Sequence, residues 1–319
     1  MPAGDDWLDL LKADPRPWLL DDSTPAVRAA ALQRLMGREA GDPDVVEARR
    51  RAMETDPIRA ILDAQDPAGW WVKPGPGYGP KYRSTVWNLM FLEQLGADPA
   101  ESRVAAGVDY LLRIVPTAAG GFGCSGSHLE TPPPPSSVLH CLNGNLLRAF
   151  IVFGRLDDPR VQAAIEWEAR AITGDGMPHW YASTTSGPGF QCGINDHLPC
   201  AWGAVKALRG LAAIPTAHRS ALVAAAIEAG VEFLLSRNPA VADYPMGWGD
   251  TKPSPNWFKL GFPSGYVADV LQVLEALAEL AHGPDRRLAA ALDWLLARQD
   301  DEGRWLNRYA YHGKTTVDI

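Results

Sequence analysis

The sequence predicts an all-α protein, arranged as a ring or an open arc of about five helical hairpins. Segments with helical periodicity follow one another along the chain, and a short pattern of residue types recurs four times within them. The pattern is a small residue, an aliphatic residue, an acid and an aromatic, and a second helical segment lies between consecutive copies. The copies are Gly107-Val108-Asp109-Tyr110, Ala164-Ile165-Glu166-Trp167, Gly230-Val231-Glu232-Phe233 and Ala291-Leu292-Asp293-Trp294.

The connections between the helical segments support the same arrangement. The joint within a hairpin is short and typically contains Gly or Asp-Pro, whereas the joints between hairpins are mostly long and rich in Gly, Pro, Trp and Cys. A ring or arc of antiparallel hairpins places the long joints on one face. In repeat proteins that face is often the binding face.

The composition narrows the class of protein. The chain has 319 residues, of which 46% are hydrophobic, so it can bury a large core. A formal net charge of -8 argues against a nucleic-acid partner. No apolar run approaches the roughly 18 residues of a membrane span, and the acidic start lacks the features of a signal peptide. We therefore expect a cytoplasmic protein without a transmembrane segment, and nothing in the sequence indicates a nucleotide cofactor.

The chain before the repeats has its own helix signals. Residues 7–20 form an amphipathic lead-in, and Thr24-Pro25 provides an N-cap followed by proline at the first helical position. Asp42-Pro43 starts the next helix in the same way. We interpret the chain as a single domain, 1–319. In it, residues 1–56 pack on or close the repeat array, residues 57–305 form the repeats and residues 306–319 form a tail.

Four full hairpins are predicted after a helix that begins at Asp56-Pro57. Their first helices lie near 84–96, 138–153, 200–213 and 265–281, and each second helix carries one copy of the recurring pattern. The long loops are predicted at 72–83, 116–136, 173–199 and 237–264.

Two turns carry a resemblance to a known family. Gln65-x-x-x-Gly69-x-Trp71 and Gln299-x-x-x-Gly303-x-Trp305 look like the QW repeat of squalene-hopene and oxidosqualene cyclases. The hairpin pattern over 57–305 resembles the prenyltransferase and squalene-cyclase repeat superfamily. That resemblance implies an α/α toroid with an inner ring of helices around a central cavity. Such folds host terpenoid cyclases, protein prenyltransferase β-subunits and, more distantly, lanthionine cyclases.

The sequence departs from that family in its acidic motifs. No Asp-x-Asp-Asp occurs, and the single Asp-Asp-x-x-Asp match is at residues 5–9, outside the repeats, where we interpret it as chance. In the middle copies of the turn, Gly120-Gly121-Phe122 keeps the glycine and the aromatic, but Pro116 replaces the glutamine.

The cysteines are the sharpest chemical signal. Cys141 and Cys200 occupy the same place in consecutive repeats, and Cys124 and Cys192 lie in the loops before them. If adjacent hairpins bring them together, the four thiolates are candidate ligands for zinc. The alternative is that they are small buried hydrophobic residues. Histidines that could replace a cysteine as ligand are His140, His179 and His197.

Asp269 is the candidate acid or base, because it is the one acid in a mostly apolar stretch before Glu275. Its structural alternative is a hydrogen bond to a neighbouring loop. Lys81 and Arg83 are candidates for holding an anion such as a diphosphate or carboxylate. Alternatively, Arg83 is the counter-ion of Asp269.

Large aromatic side chains complete the candidate site. Trp87 and Trp202 lie in first-helix patterns, and Trp248 and Trp257 lie in the 237–264 loop, where they could form a lid. Aromatic faces stabilise cations, although such residues are more often core. We expect an enzyme of the cyclase and prenyltransferase type acting on an apolar or isoprenoid-like small molecule. The alternatives are a non-catalytic helical-repeat binding protein with a structural zinc, and zinc-dependent thiol chemistry resembling lanthionine cyclases. The sequence does not indicate an oligomeric state.

Overall fold

The computed structural model describes residues 5–123, 131–177, 185–309, 311 and 313–319. Within those ranges the regular secondary structure is helical, which confirms the all-α prediction, and none of the helices there is both long and apolar enough to cross a membrane. The α-helices are α1 (Arg16–Leu19), α2 (Pro25–Arg34), α3 (Pro43–Met53), α4 (Ile58–Asp63), α5 (Thr85–Gln94), α6 (Ser102–Ile114), α7 (His140–Val152), α8 (Pro159–Thr173), α9 (Ala201–Ala212), α10 (Ala221–Leu235), α11 (Val270–Glu279) and α12 (Ala289–Leu296).

The repeats form two layers of helices. Each of the pairs α5/α6, α7/α8, α9/α10 and α11/α12 packs as a hairpin, and α5, α7, α9 and α11 also pack on one another in series. In α5 every side chain from residue 85 to residue 92 is buried, whereas α6 buries one face only. A helix that is apolar all round belongs inside a protein. The helices α5, α7, α9 and α11 are therefore the inner helices, and their partners form the outer layer.

The inner helices α7 and α9 touch through their backbones. A Cβ atom placed on Gly144 would lie 2.3 Å from the carbonyl oxygen of Lys206, and one on Gly210 would lie 2.5 Å from that of Gly144. Only glycine permits such an approach. At this crossing the inner helices contact one another directly.

Arg148 joins the four inner helices, and it also donates to the Arg209 carbonyl of α9 at 3.2 Å. From α7, its Nε atom donates to Glu93 Oε1 of α5 at 3.1 Å, and its Nη1 atom donates to Glu279 Oε2 of α11 at 2.8 Å. In addition, Gln94 Nε2 donates to the carbonyl oxygen of Ser264, just before α11, at 2.9 Å. The first and last inner helices are thereby tied together.

The two predicted QW turns have the same geometry. Trp71 Nε1 donates to the carbonyl oxygen of Ile61 at 2.7 Å, and Trp305 Nε1 donates to that of Leu295 at 2.7 Å. The phenol of Tyr244 donates to the carbonyl ten positions before it, also at 2.7 Å. A tyrosine thus replaces the tryptophan in the third hairpin.

The first and last QW glutamines have equivalent partners. Gln65 Nε2 donates to the carbonyl oxygen of Arg103 in α6 at 2.9 Å, and Gln299 Nε2 donates to that of Leu10 at 3.2 Å. Residues near Leu10 therefore lie against the last turn as α6 lies against the first.

The glycines of these turns show the same correspondence. A Cβ atom on Gly69 would meet the carbonyl oxygen of Ala106, three residues after Arg103, and one on Gly303 would meet that of Ala13, three residues after Leu10. The N-terminal segment over residues 10–13 thus takes the position that the outer helix of a further hairpin would fill.

Candidate functional site

The candidate residues gather at the end of the molecule where the inner helices begin. Helices α5, α7, α9 and α11 start at Thr85, His140, Ala201 and Val270, and each is preceded by a long connection. The structure therefore places the long loops and the first turns of the inner helices together, as a hairpin array requires.

Lys81, Trp87 and Trp202 meet around one tyrosine. The ring of Tyr266 lies 6.2 Å from the ring of Trp87 and 6.4 Å from that of Trp202, centroid to centroid. The ammonium of Lys81 is 4.9 Å from the Tyr266 centroid and 5.5 Å from that of Tyr78. These residues form a group that we call the aromatic cluster. Sequence reasoning missed Tyr266, although it lies three residues before Asp269.

The tail adds a further ring to the aromatic cluster. Tyr311 stacks on Tyr82 with centroids 4.1 Å apart, and Tyr82 lies 4.8 Å from Trp87. The phenol oxygen of Tyr311 accepts a hydrogen bond from the amide of Gly265 at 3.0 Å. Burial raises the pKa of Tyr82, helped by its hydrogen bond with Tyr266, and burial also raises the pKa of Tyr311. Both phenols therefore stay protonated at neutral pH.

Arg83 does not share the environment of Lys81. Its Nη2 atom donates to the carbonyl oxygen of Gly313 at 2.7 Å, and its Nε atom donates to that of Lys314 at 3.2 Å. Thr316 Oγ1 in turn donates to the carbonyl oxygen of Arg83 at 3.2 Å. Arg83 therefore fastens the tail, while Lys81 lies over the rings.

Asp269 is only 2% exposed and caps α11. Its Oδ1 atom accepts the backbone amide of Gln272 at 2.9 Å, and its Oδ2 atom accepts Gln272 Nε2 at 3.1 Å and the amide of Gly261 at 3.2 Å. Burial raises the pKa of the carboxyl, and the bonds from Gln272 oppose that rise. These contacts match the loop-bonding alternative, and Arg83 bonds the tail instead of this carboxylate.

Lys206 is a buried charge that sequence reasoning missed. Its side chain is fully buried in α9, and its Nζ atom donates to Ser264 Oγ at 3.2 Å and to Gln272 Oε1. Burial lowers its pKa to about 7, the charge of Arg209 adds to that effect, and Asp269 opposes it. The available signal was a lone lysine inside the apolar pattern of an inner helix.

Three of the four cysteines lie in the described part of the chain, and each is partly exposed. The hydrogen bond from the Cys200 thiol lowers the pKa of Cys192 to about 6, and the same contact raises the pKa of Cys200. Burial raises the pKa of Cys141 to about 12. The trio therefore contains one thiolate and two thiols at neutral pH.

The zinc hypothesis rests partly on residues outside the described ranges, namely Cys124 and His179. Among the residues that the structure describes, no group of three or more His, Cys, Asp or Glu side chains is placed to hold a metal ion. Both ring nitrogens of His140 are engaged, Nδ1 with Glu168 Oε1 at 2.7 Å and Nε2 with the Gly187 carbonyl at 3.0 Å. His197 lies in the exposed loop between Cys192 and Cys200. Zinc remains a prediction.

A cavity of about 110 Å³ lies beside Cys200. Its wall includes Cys200, Trp202, Tyr244 and Trp257, so Trp202 belongs both to this wall and to the aromatic cluster. Trp257 is 3% exposed and donates from Nε1 to the Pro239 carbonyl at 2.9 Å. Trp257 therefore lines the cavity, whereas Trp248, the other tryptophan of the 237–264 loop, does not.

Trp248 lies over the cysteine loop. Its side chain is 73% exposed, and its Nε1 atom donates to the carbonyl oxygen of Ile194 at 3.1 Å. Asn195 Oδ1 accepts the amide of Gly247 at 3.0 Å. Of the two tryptophans predicted as a lid, Trp248 is therefore the one that covers a loop.

A larger cavity of about 570 Å³ lies elsewhere, between α12 and the tail. Arg298, Gln299, Trp305 and Arg308 line it. None of the candidate residues predicted from the sequence lines this larger cavity. The candidate site is therefore not at the larger of the two cavities.

Comparisons with known proteins were made for the whole chain. No family model matches it, and no curated protein matches it significantly. Among solved structures it is similar to a variant of the type II terpene cyclase MstE from Scytonema in complex with its substrate, geranylgeranyl dihydroxybenzoate. The identity is 14% and the TM-score is 0.31, and the match covers 82% of this chain and 80% of that chain. Another MstE variant, in complex with the product merosterolic acid A, matches at 14% identity and a TM-score of 0.30, covering 82% of each chain. Scores this low do not transfer a fold or a function, so the chemistry is argued from the residues of this chain.

Proposed function

We propose that this chain is an enzyme of the terpenoid-cyclase or prenyltransferase type, acting on an apolar, isoprenoid-like small molecule at the aromatic cluster. The observation that carries the proposal is the position of the Lys81 ammonium, 4.9 Å from the centroid of Tyr266, whose ring in turn lies next to Trp87 and Trp202. A cationic group beside a wall of rings suits a hydrocarbon chain with an anionic head.

The rings and the lysine have separate roles in this proposal. Ring faces stabilise positive charge that develops on a hydrocarbon chain, by about 0.5–2 kcal/mol for each well-placed ring. Lys81 is exposed and bears three donors, so it can hold a diphosphate or carboxylate while its stem lies on the rings. Tyr82 and Tyr311 extend the wall of rings beside Trp87, and the phenol of Tyr82 is hydrogen-bonded to Tyr266.

Asp269 is the proposed acid or base. Burial raises the pKa of its carboxyl, which moves it toward the range in which a carboxyl can hold and release a proton near neutral pH. The same carboxylate caps α11, so a substitution has to separate the two roles. Asparagine caps helices about as well as aspartate but cannot transfer the proton.

The experiment follows from that distinction. The wild type is incubated with geranylgeranyl diphosphate and with geranylgeraniol, and products are identified by gas chromatography and mass spectrometry. We expect a new product from the diphosphate and its loss in Asp269→Asn. This variant keeps an oxygen to cap α11 but loses the acceptor for Gly261 and Gln272, so its thermal unfolding midpoint should fall while the chain still folds. Asp250→Asn, in an exposed loop position, is the matched control and retains the product. If the wild type bound either compound but formed no product, the result would contradict the proposal of an enzyme and would favour a binding protein.

A further inference from the structure

The cavity of about 570 Å³ lies between segments that are bonded to one another. Asn307 of the tail donates from Nδ2 to the Phe262 carbonyl at 2.8 Å, and its Oδ1 atom accepts the amide of Phe262 at 3.3 Å. The amide of Arg308 donates to the Leu260 carbonyl at 2.8 Å. The tail and the 237–264 loop are therefore joined along one side of this space, which we call the tail cavity.

The end of α12 closes another side of the tail cavity. Trp305 Nε1 donates to the Leu295 carbonyl at 2.7 Å, and the ring of Phe258 lies 6.1 Å from that of Trp294, centroid to centroid. These contacts hold both the tail and the loop against α12. The tail cavity is therefore a formed space between segments whose positions are fixed.

The lining of the tail cavity combines apolar surface with positive charge. Its apolar wall is formed by Phe258, Leu260, Trp305 and Leu306, and its charged residues are Arg298 and Arg308. No acid is found among the described residues that line it. The chain as a whole has 38 acidic residues against 30 Lys and Arg. A cationic cavity is thus the opposite of what the net charge of the chain would favour.

Arg298 is held in place and still has donors to offer. Its guanidinium carbon lies 3.7 Å from the centroid of the Trp294 ring, and its Nη1 atom donates to the Trp294 carbonyl at 2.8 Å. Within the described part of the chain, its Nε and Nη2 atoms have no acceptor. A guanidinium that is already stacked and bonded loses less conformational freedom when it binds an anion.

Arg308 has neither a hydrogen bond nor an ion pair from its side chain to any residue that the structure describes. The acids nearest to it in sequence are already engaged by Arg304. Arg304 Nε donates to Asp300 Oδ2 at 3.1 Å, and its Nη2 atom lies 2.6 Å from Glu302 Oε2. The charge of Arg308 is therefore left for a partner from outside the chain.

We propose that the tail cavity binds an anionic amphiphile, a small molecule with an apolar chain and a carboxylate or phosphate head. Arginine suits both heads, because its planar fork can donate two parallel hydrogen bonds to two oxygens of either one. Leu306 is 68% exposed, so it is free to contact the apolar chain. The volume falls within the range of small-molecule sites, about 300–1,000 Å³. This site does not depend on the proposed function.

The tail cavity is distinct from the aromatic cluster, although the tail contributes to both. Arg308 lines the cavity, whereas the ring of the next residue, Tyr309, lies 5.3 Å from that of Tyr311 in the aromatic cluster. Lys81 belongs to the cluster and does not line the cavity. Substitutions of Arg308 and of Lys81 therefore show which of the two sites an amphiphile occupies.

Isothermal titration calorimetry with decanoate tests the arginines. An exposed ion pair changes an affinity by up to about fivefold, so Arg298→Gln and Arg308→Gln should each weaken binding by roughly two- to fivefold. The double variant should weaken it by roughly 5- to 25-fold if the two effects add. Arg286→Gln, at an exposed arginine outside the cavity, is the matched control. Arg286→Gln and Lys81→Gln should both bind as the wild type does.

A series of ligands tests the head group on the wild type alone, so this arm does not depend on the folding of any variant. Decanol lacks the charge of decanoate, and decyltrimethylammonium reverses it. We expect decanoate and decyl phosphate to bind more tightly than decanol, and decyltrimethylammonium to bind least. The tighter of the two anions identifies the preferred head. Equal affinities for decanoate and decanol would overturn the proposal, because the arginines would then contribute nothing.

Other results would also contradict an amphiphile in the tail cavity. One is the absence of decanoate binding by the wild type. Another is weaker binding in Lys81→Gln with no change in the arginine double variant, which would place the ligand at the aromatic cluster. A third is binding to phosphatidylglycerol vesicles without binding of decanoate, which would assign the arginines to a membrane surface.

Discussion

The Nδ1 atom of His140 lies 2.7 Å from the Oε1 atom of Glu168, and both side chains are buried. The opposite ring nitrogen of His140 lies 3.0 Å from the carbonyl oxygen of Gly187, so a doubly protonated ring would donate from both nitrogens. Asn143 Nδ2 donates to the second carboxylate oxygen at 2.6 Å. This buried ion pair ties α7 to α8 and to the loop before the cysteines.

The first prediction concerns the pH dependence of that ion pair. Burial alone would lower the pKa of His140, but the charge and hydrogen bond of Glu168 outweigh burial and raise it above 6.5. A raised pKa contributes stability that is fully present below the unfolded value and is lost as the pH rises through the folded value. Glu168→Gln should therefore cost about 3–5 kcal/mol at pH 6, and less above the folded pKa.

Urea unfolding at a series of pH values measures this difference. Glu166→Gln, on the exposed face of the same helix, is the control and should change little at any pH. A Glu168→Gln effect that stays constant from pH 5 to pH 9 would show that His140 is neutral in the folded protein.

The second prediction concerns Lys206. Burial lowers its pKa to about 7 from an ordinary value of 10.5, so the folded state binds this proton less tightly than the unfolded state does. Its contribution to stability therefore increases as the pH rises from about 7 to about 10, by at most ~1.4 kcal/mol per pH unit. Lys206→Met should remove this component of the slope in urea unfolding. An identical slope in wild type and variant would mean that the lysine titrates normally.

Particular residues show where sequence reasoning succeeded. The recurring acid–aromatic pattern and the Asp-Pro signals predicted the helices and their pairing, because helical periodicity and capping are local properties of the chain. The repeat pattern also placed Lys81, Trp87 and Trp202 at equivalent positions near the starts of the inner helices, and in the structure they lie close together around Tyr266.

Other residues of the site could not be predicted from the sequence. Tyr266, Lys206 and Tyr311 enter the site through contacts between segments distant in sequence, which periodicity does not encode. The partners of Arg83 belong to a tail that has no helical pattern. The contrast between the pKa values of Cys192 and Cys200 depends on a contact between two positions of one short loop.

The third prediction concerns the crossing of α7 and α9. Gly144→Ala would place a methyl group 2.3 Å from the Lys206 carbonyl, so two helix backbones would have to separate. Such overpacking costs about 1–3 kcal/mol or more. Gly41→Ala is the control, since nothing lies within 4 Å of its Cβ position. Thermal unfolding should show a lower midpoint for Gly144→Ala alone, and equal midpoints would argue against the close crossing.

The fourth prediction concerns the N-terminal segment. Gln299 accepts the amide of Lys12 at 3.0 Å and donates to the carbonyl of Leu10 at 3.2 Å. Gln299→Leu removes both bonds and should cost about 1–3 kcal/mol. Hydrogen exchange should quicken in residues 10–13 as well as in the turn at 299–305. Faster exchange at the turn alone would mean that the segment is not held there by Gln299.

The most direct measurement of the central claim is the affinity for geranylgeranyl diphosphate, followed by tryptophan fluorescence. The wild type is compared with Lys81→Gln and with Lys73→Gln, an exposed lysine of the same loop. The loss of one charge-assisted hydrogen bond is worth about 1.5–3 kcal/mol, so Lys81→Gln should weaken binding by roughly 10- to 100-fold, while Lys73→Gln should bind as the wild type does. Equal affinities for all three proteins, or no binding by the wild type, would contradict a substrate site at the aromatic cluster.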